Sequence, residues 1–561
     1  MSNHSGKQKQ NTMFGGVAIL AAGIAIVKLI GALFKIPLFN VLGETGSADF
    51  YNAYSIYAVL LTVSTAGLPV ALSKTVAEAN TLGRHNQKQR VFRVALSAFL
   101  AMGIASFAVM WFGADWLAGL MNNSHAAPGI RALAPAVVCV GCLSAFRGYA
   151  QGHMNMTPTS VSQIIEALCK LFLGLALAAF IMSRTFTGAM AQEQASLAAA
   201  GAITGVTVGT VLALVYMVVD YVRSCRQTER DGTDRPDGAG HIFKSLMRIA
   251  VPITLSTSLV PIINVLDNAL VQGQLQDALG MTEQASRALY GNYTVAISLH
   301  NLPGSFMTAL TAAIIPAVSA ALARGNREGS ARITGSVLRI TGLLAMPMGV
   351  GLLVLAGPIM KLLYPRYDVT LTGPMLAILG PAAVCVCLVL VCNAVFQAYG
   401  HVFLPIATTL VGGAVKIISN YNLVSVPDVH IYGAPVGTLL CYVVVLILDL
   451  ILLRRIVPGI GKYAGVFGKP LLASVVMGAG AWAGYGLLER VLVRLPALQS
   501  IGAQGTGVAV LSRTGNALAT FAAIGGAAVL YLVLVVAMRA VSRDDVLLMP
   551  KGEKIAKILK I

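Results

Sequence analysis

The chain has 561 residues, of which 57% are hydrophobic and only 11% charged, and its net charge is +18; the mean hydropathy is +0.77. Soluble proteins carry roughly a quarter charged residues, so this composition excludes a soluble enzyme, a nucleic-acid module and a disordered scaffold. It predicts an all-α, polytopic membrane protein.

Fourteen apolar runs reach the roughly 20 residues that cross a bilayer: 13–39, 48–73, 91–113, 127–150, 158–182, 196–220, 247–272, 288–321, 334–360, 372–398, 402–423, 430–453, 466–488 and 515–538. The first follows a polar tail, Met1 to Thr12. It is too long for a signal-peptide core and shows no small-residue cleavage site, so it is expected to stay as a helix. With the N-terminus inside, the tail, the even-numbered loops, the C-terminus and their flanks hold 28 of the 40 Lys and Arg residues; the opposite side holds 8, and 4 lie within spans. This asymmetry predicts a multi-pass protein of the cell (cytoplasmic) membrane with both termini cytoplasmic. The basicity sets topology and attracts anionic membrane lipids, and implies no nucleic acid.

Along the chain, span 1 carries Lys28 near the midplane and Lys35 seven residues later, on nearly the same face. Lys35 fits either a cavity or a side chain snorkelling outward. Span 4 ends with Arg147, a ligand or an interfacial anchor, and Gln151; His153 follows as a lone histidine. Span 5 places Glu166 four residues before Lys170, a spacing that suits an intrahelical pair. The run from Tyr221 to His241, rich in charge, Gly and Pro, reads as a flexible linker. Asp267 lies in the outer part of span 7 and His300 in span 8; Gln397 ends span 10, and Lys416 and Asn420 occupy span 11. Charges at this depth cost at least about 2.5 kcal/mol and should face a cavity or a partner. Four intramembrane lysines against two carboxylates, Glu166 and Asp267, predict a net cationic cavity. Lys416 could also stand beside Asp267 as a tethered cation. No cysteine sits where an extracytoplasmic disulfide could form, and Cys385-x-Cys387 reads as small apolar residues, so neither metal nor cofactor is expected.

An internal repeat spans the linker. LAPAVVCV at 133–140 matches LGPAAVCV at 379–386, and the same offset takes Pro135 to Pro381, Gln151 to Gln397 and Lys170 to Lys416. The expected organisation is a lobe of spans 1–6 (1–221), a linker (222–246), a lobe of spans 7–12 (247–455), and spans 13–14 with a basic tail (456–561). Parallel lobes of this kind hold substrate between them. The loop from Arg490 to Gly515 carries no motif. Also missing are an acidic pair poised for metal and nucleotide-sugar, a phosphate loop and a His/Asp cluster at the membrane surface. Transport without ATP hydrolysis is expected, and no enzymatic activity.

Three stretches carry a resemblance: AGLPVALSKTVAE at 66–78, the FRGY-x-QG…MTPT-x-VSQ-x-x-E pattern within 131–166, and YGNY at 290–293 with IIPAVSAALARG at 314–325. They resemble the polysaccharide-flippase families, in the branch of stage V sporulation protein B and the MurJ-type lipid II flippases of Gram-positive bacteria. The resemblance implies membership of the multidrug/oligosaccharidyl-lipid/polysaccharide exporter superfamily, with two six-helix lobes and two extra C-terminal helices. It also implies alternating access and an undecaprenyl-diphosphate-linked sugar as substrate, with peptidoglycan, spore or capsule roles open. Lys28 falls at a basic position of that family; Lys35 matches a second with a one-residue shift; a span 8 arginine of Gram-negative members is replaced by Ser298. Lys28, Lys35, Lys170, Lys416 and Arg147 are therefore the expected diphosphate ligands. Glu166 and Asp267 are their charge partners, and Gln151, Gln397, Asn420 and His300 line the cavity. A monomer is expected to suffice. The alternatives are an exporter of small organic cations, which should show an acidic cavity instead, and a flippase for a capsular unit.

Overall fold

In a bilayer, backbone polar groups must be satisfied within the segment, which leaves apolar runs of this length helical. The computed structural model describes residues 2–186, 189–227, 234–461, 463–501 and 509–541. Seventeen helices are described: α1 Ser2–Thr65, α2 Gly67–Thr81, α3 His85–Phe112, α4 Ala114–Leu120, α5 Ala127–Gly152, α6 Thr157–Cys169, α7 Leu175–Met182, α8 Ala189–Gln227, α9 Ala239–Asp277, α10 Glu283–Ala323, α11 Arg327–Val354, α12 Ala356–Leu363, α13 Val369–Ala398, α14 Leu404–Val424, α15 Gly433–Ile456, α16 Tyr463–Leu492 and α17 Arg513–Ala537. Every expected span falls on a helix. Spans 1 and 2 run through α1 and into α2, and α1 bends at Gly43, whose φ of 69° and ψ of −169° suit glycine. Eleven stretches of the described residues are long and apolar enough to cross a membrane. The Arg490–Gly515 loop contains a short antiparallel ribbon of β1 Gln499–Ile501 and β2 Ala509–Leu511. Exposed Phe112, Trp482, Phe521 and Leu532 give the surface the apolar character that lipid requires.

The chain divides into two compact units, Met1–Gly291 and Asn292–Ile561. They part after the first turns of α10 rather than at the 222–246 linker, because α9 packs on α1 and α2. The reason is close backbone approach. A Cβ on Gly67 would lie 2.0 Å from the Ala250 carbonyl, and the Gly67 N–H donates to Thr254 Oγ1 at 3.1 Å. Small residues at such crossings let helices touch where lipid supplies no hydrophobic drive. The start of α10 is fixed to the same unit by a buried ion pair, with Arg287 Nε donating to Asp49 Oδ1 at 3.0 Å and Nη2 to Oδ2 at 2.5 Å. Asn123 Nδ2 donates to the same carboxylate at 3.0 Å.

In the second unit, α13 packs between α11 and α15, while α14 pairs with α15 and α16 with α17. The pair α16–α17 lies against α11, where the Tyr531 hydroxyl donates to the Leu343 carbonyl at 2.8 Å. The two halves keep corresponding features. α5 and α13 contain Pro135 and Pro381, and the spans after them carry Lys170 and Lys416.

The linker departs from a flexible tether over its described part, 234–238; residues 228–233 lie outside the described residues. Asp234 caps α3 from a distance, accepting the N–H of Asn86 at 2.9 Å and of Gln87 at 3.0 Å. Arg84, the residue that enters α3, offers no side-chain cap of its own, so the free first-turn donors are satisfied by the linker. Asp237 adds bonds from Arg84 Nη2 at 3.1 Å and Gln87 Nε2 at 2.9 Å. For Asp234, desolvation works against the charge, but the N–H groups of Asn86 and Gln87 and the Arg84 guanidinium outweigh it and hold the carboxyl below its ordinary value. A depressed folded value contributes stability above the unfolded value and loses it as pH falls through the folded one. Docking should therefore be complete at neutral pH and fail only in acid, below the ordinary aspartate range near ~4. Hydrogen exchange at Asn86 and Gln87, corrected for intrinsic rate, should rise there in the native chain. In Asp234→Asn it should show no such pH step.

Candidate functional site

In the first unit Lys170 lies against an aromatic wall of α1. Lys170 begins a single π-helical turn, Lys170–Gly174, between α6 and α7. Its ammonium lies over the rings of Phe34, at 5.1 Å, and Tyr54, at 4.7 Å. Such wide turns recur at functional sites, and an aromatic face attracts a cation without neutralising it. Lys35 is within Coulombic reach of Lys170, so two like charges lie near each other in this unit. Lys28, two turns earlier on α1, is exposed. Among the described residues no ion pair includes Lys28, Lys35 or Lys170.

Glu166 does not pair with Lys170. It accepts Arg147 Nη2 at 2.5 Å while Arg147 Nε donates to Ser162 Oγ at 2.9 Å. The cause is geometric: α5 brings a planar guanidinium with several donors against α6, whereas Lys170 leans onto the α1 rings. Arg147 is thereby a neutralised residue inside the protein, with the buried Tyr57 in Coulombic range of both partners. Gln151 is half-buried near the end of α5. Asp267 is buried in α9, beside Asn268, whose Nδ2 donates to Ser55 Oγ at 2.9 Å.

A cavity of about 340 Å³ opens at the linker end of this unit, lined by residues that include Asn80, Lys88, Tyr149, His153, Asp220 and Tyr221. None of the expected ligands lines it. His153 is satisfied locally, its Nδ1 lying 2.9 Å from the Tyr149 carbonyl.

In the second unit His300 is buried, with Nδ1 2.9 Å from the Leu379 carbonyl. Lys416, within Coulombic reach of His300, is also buried, as is Asn420. A Cβ on Gly437 would lie 1.9 Å from Asn420 Oδ1, so glycine is what lets α15 approach α14 there. Tyr293 and Thr438 share a hydrogen bond of 3.0 Å in the same unit. Ser298 is buried. Gln397 is exposed.

The expected balance of four lysines to two carboxylates is incomplete. Asp49 and Asp449 are also buried within spans, at 1% and 0% exposure. Asp49 is neutralised by Arg287. Asp449 is the only acid in CYVVVLILDLILL, 441–453; that lone acid was the available signal. Among the described residues, no group of three or more His, Cys, Asp or Glu side chains could hold a metal ion.

Eleven long apolar helical stretches among the described residues define a polytopic all-α membrane protein. The polysaccharide biosynthesis protein family model matches residues 14–322, more than half of the chain, and the MatE model matches 252–422. The chain belongs to the polysaccharide biosynthesis protein family, within the multidrug/oligosaccharidyl-lipid/polysaccharide exporter superfamily. It is 24% identical over 452 residues to the lipid II flippase MurJ of Bacillus subtilis (strain 168), covering 78% of this chain and 82% of that protein. It is 22% identical over 453 residues to stage V sporulation protein B of the same organism, covering 80% and 85%. Its fold is similar to a solved lipid II flippase MurJ in an inward closed conformation, with a TM-score of 0.67 and 13% identity over 93% of this chain and 98% of that one.

Proposed function

We propose that the chain is a secondary flippase that moves an undecaprenyl-diphosphate-linked sugar, the peptidoglycan precursor lipid II, across the cell membrane by alternating access, with both termini cytoplasmic. The observation that carries this reading is the lysine group of the first unit. Lys28, Lys35 and Lys170 enter no ion pair among the described residues, and Lys170 is held by rings rather than by an acid. A diphosphate supplies the missing anions, and a low-dielectric surround strengthens each contact. Lysine meets phosphate as a mobile point charge, which suits a ligand that must be released. Names of relatives support the same substrate class, MurJ being called a lipid II flippase. An exporter of organic cations fits poorly, since its cargo would meet like charge. Working alone as a monomer, and without ATP, the protein would draw on gradients across the membrane.

The test is rescue. Cells depleted of their own lipid II flippase should regain lipid II translocation and growth when this chain is expressed. If membrane-inserted protein restores neither, while a capsular-unit flippase defect is rescued, the lipid II assignment is wrong and the capsular reading replaces it.

A further inference from the structure

The second unit contains a buried carboxyl that no part of the proposed substrate path uses. Asp449 lies on the inner face of α15, between Val445 and Leu453, both themselves buried, and is itself 0% exposed. α14 and α13 pack against that face. From α14 the Thr408 hydroxyl reaches toward the carboxyl while also lying 3.3 Å from the Pro405 carbonyl, so this one shared hydroxyl is all that meets two oxygens otherwise without a hydrogen-bond partner. From α13 the facing titratable group is the buried Cys392 thiol. Further along, Tyr463 of α16 gives its hydroxyl to the Leu450 carbonyl at 2.7 Å, and Arg454 points outward, exposed. Lys416 is two turns along α14 from Thr408, about 12 Å of helix. α10 reaches α15 through Tyr293 at Thr438, three turns from Asp449. No ion pair among the described residues includes Asp449.

An ionised carboxylate so placed would forgo its hydration for at most one shared hydroxyl contact, a cost of several kcal/mol that a buried group avoids by becoming neutral. Two neutralising ligands are available, a proton or a metal cation. A cation would need several oxygen donors around it, and here the surroundings are Val, Leu, a thiol and one hydroxyl already engaged. A proton needs one oxygen. We propose that Asp449 is a proton-binding site: it carries a proton in the conformation described, and it gives that proton up to water when rearrangement of α13–α15 wets it. The energetics of transport would then include proton binding by the second unit. This rests on the proposed transport reading only for its cargo; the occupancy of Asp449 stands apart from it.

The decisive measurement is infrared spectroscopy of the full chain in lipid vesicles, in sodium-free buffer at neutral pH, without substrate. The native protein should show the C=O stretch of a protonated carboxylic acid, with the expected deuterium shift. That component should be absent in Asp449→Asn and displaced in frequency in Asp449→Glu, which keeps a titratable group should the Asn variant fail to assemble. A native acid band unchanged in both variants overturns the site. So does an Asp449-dependent band that disappears on adding sodium, since the ligand would then be the cation. In vesicles supplied with lipid II, native flipping should change with pH while Asp449→Asn flips at a pH-independent rate. Absence of lipid II flipping by the native chain, with the acid band present, would overturn the substrate assignment and leave the proton site standing.

Discussion

Replacing Lys35 and Lys170 together by glutamine should reduce translocation of a diphosphate-linked lipid by at least about 100-fold while leaving the protein inserted and folded. A hydrogen bond to a charged group is worth about 1.5–3 kcal/mol, or roughly tenfold or more for each lysine. The two side chains lie within Coulombic reach of each other and neither enters an ion pair among the described residues, so removing both leaves no orphaned anion in the protein. Each single variant should lose less than the pair, because the remaining lysine can still meet the phosphates. Arg147→Gln should behave differently. It strands Glu166, its partner at 2.5 Å, and should lower stability as well as rate. Flipping assayed in vesicles beside a thermal denaturation series separates the outcomes. Full activity of the double variant at normal protein level would remove the diphosphate site from the first unit.

The largest effect on stability should come from the pair that fixes α10 to α1. Arg287→Met leaves Asp49 buried with only the Asn123 amide, and breaking a buried pair in this way costs about 3–5 kcal/mol. The double replacement Asp49→Leu with Arg287→Met removes both charges and should recover most of the loss, since apolar pairs of similar volume often match a buried ion pair. A double-mutant cycle on apparent melting temperature in detergent measures this coupling. If the single and double variants melt together, the pair contributes nothing specific to the unit.

Most of the fold was legible because bilayer solvent leaves few options. Length and hydropathy mark the spans, and backbone satisfaction makes them helices. The expectation of a repeat rests on a related argument: a lysine is so costly at depth that Lys170 and Lys416 at one offset stand out. Side-chain partnership was not legible. The i, i+4 spacing pointed Glu166 to Lys170, yet a guanidinium on α5 took the carboxylate, and only packing reveals which neighbouring helix supplies a better donor. Asp49 and Asp449 lie near the ends of their apolar runs, where sequence alone does not separate an interfacial acid from a buried one, and both prove fully buried. The docked linker was hidden too, since charges with Gly and Pro give the same pattern whether they float or cap a neighbour.

The duplicated sequence and the packed unit are out of phase by one helix. The repeat changes over in the linker, yet α9, the first helix of its second copy, lies against the helices of the first copy. A chain severed within 228–233 would yield a first fragment lacking the Thr254 acceptor for Gly67 and the Arg287 counter-charge for Asp49. Its partner fragment would carry an exposed α9 with no surface of its own to cover. A cut in the linker would therefore not separate the two packed units, and co-expressed fragments should regain the α9 contacts only on association.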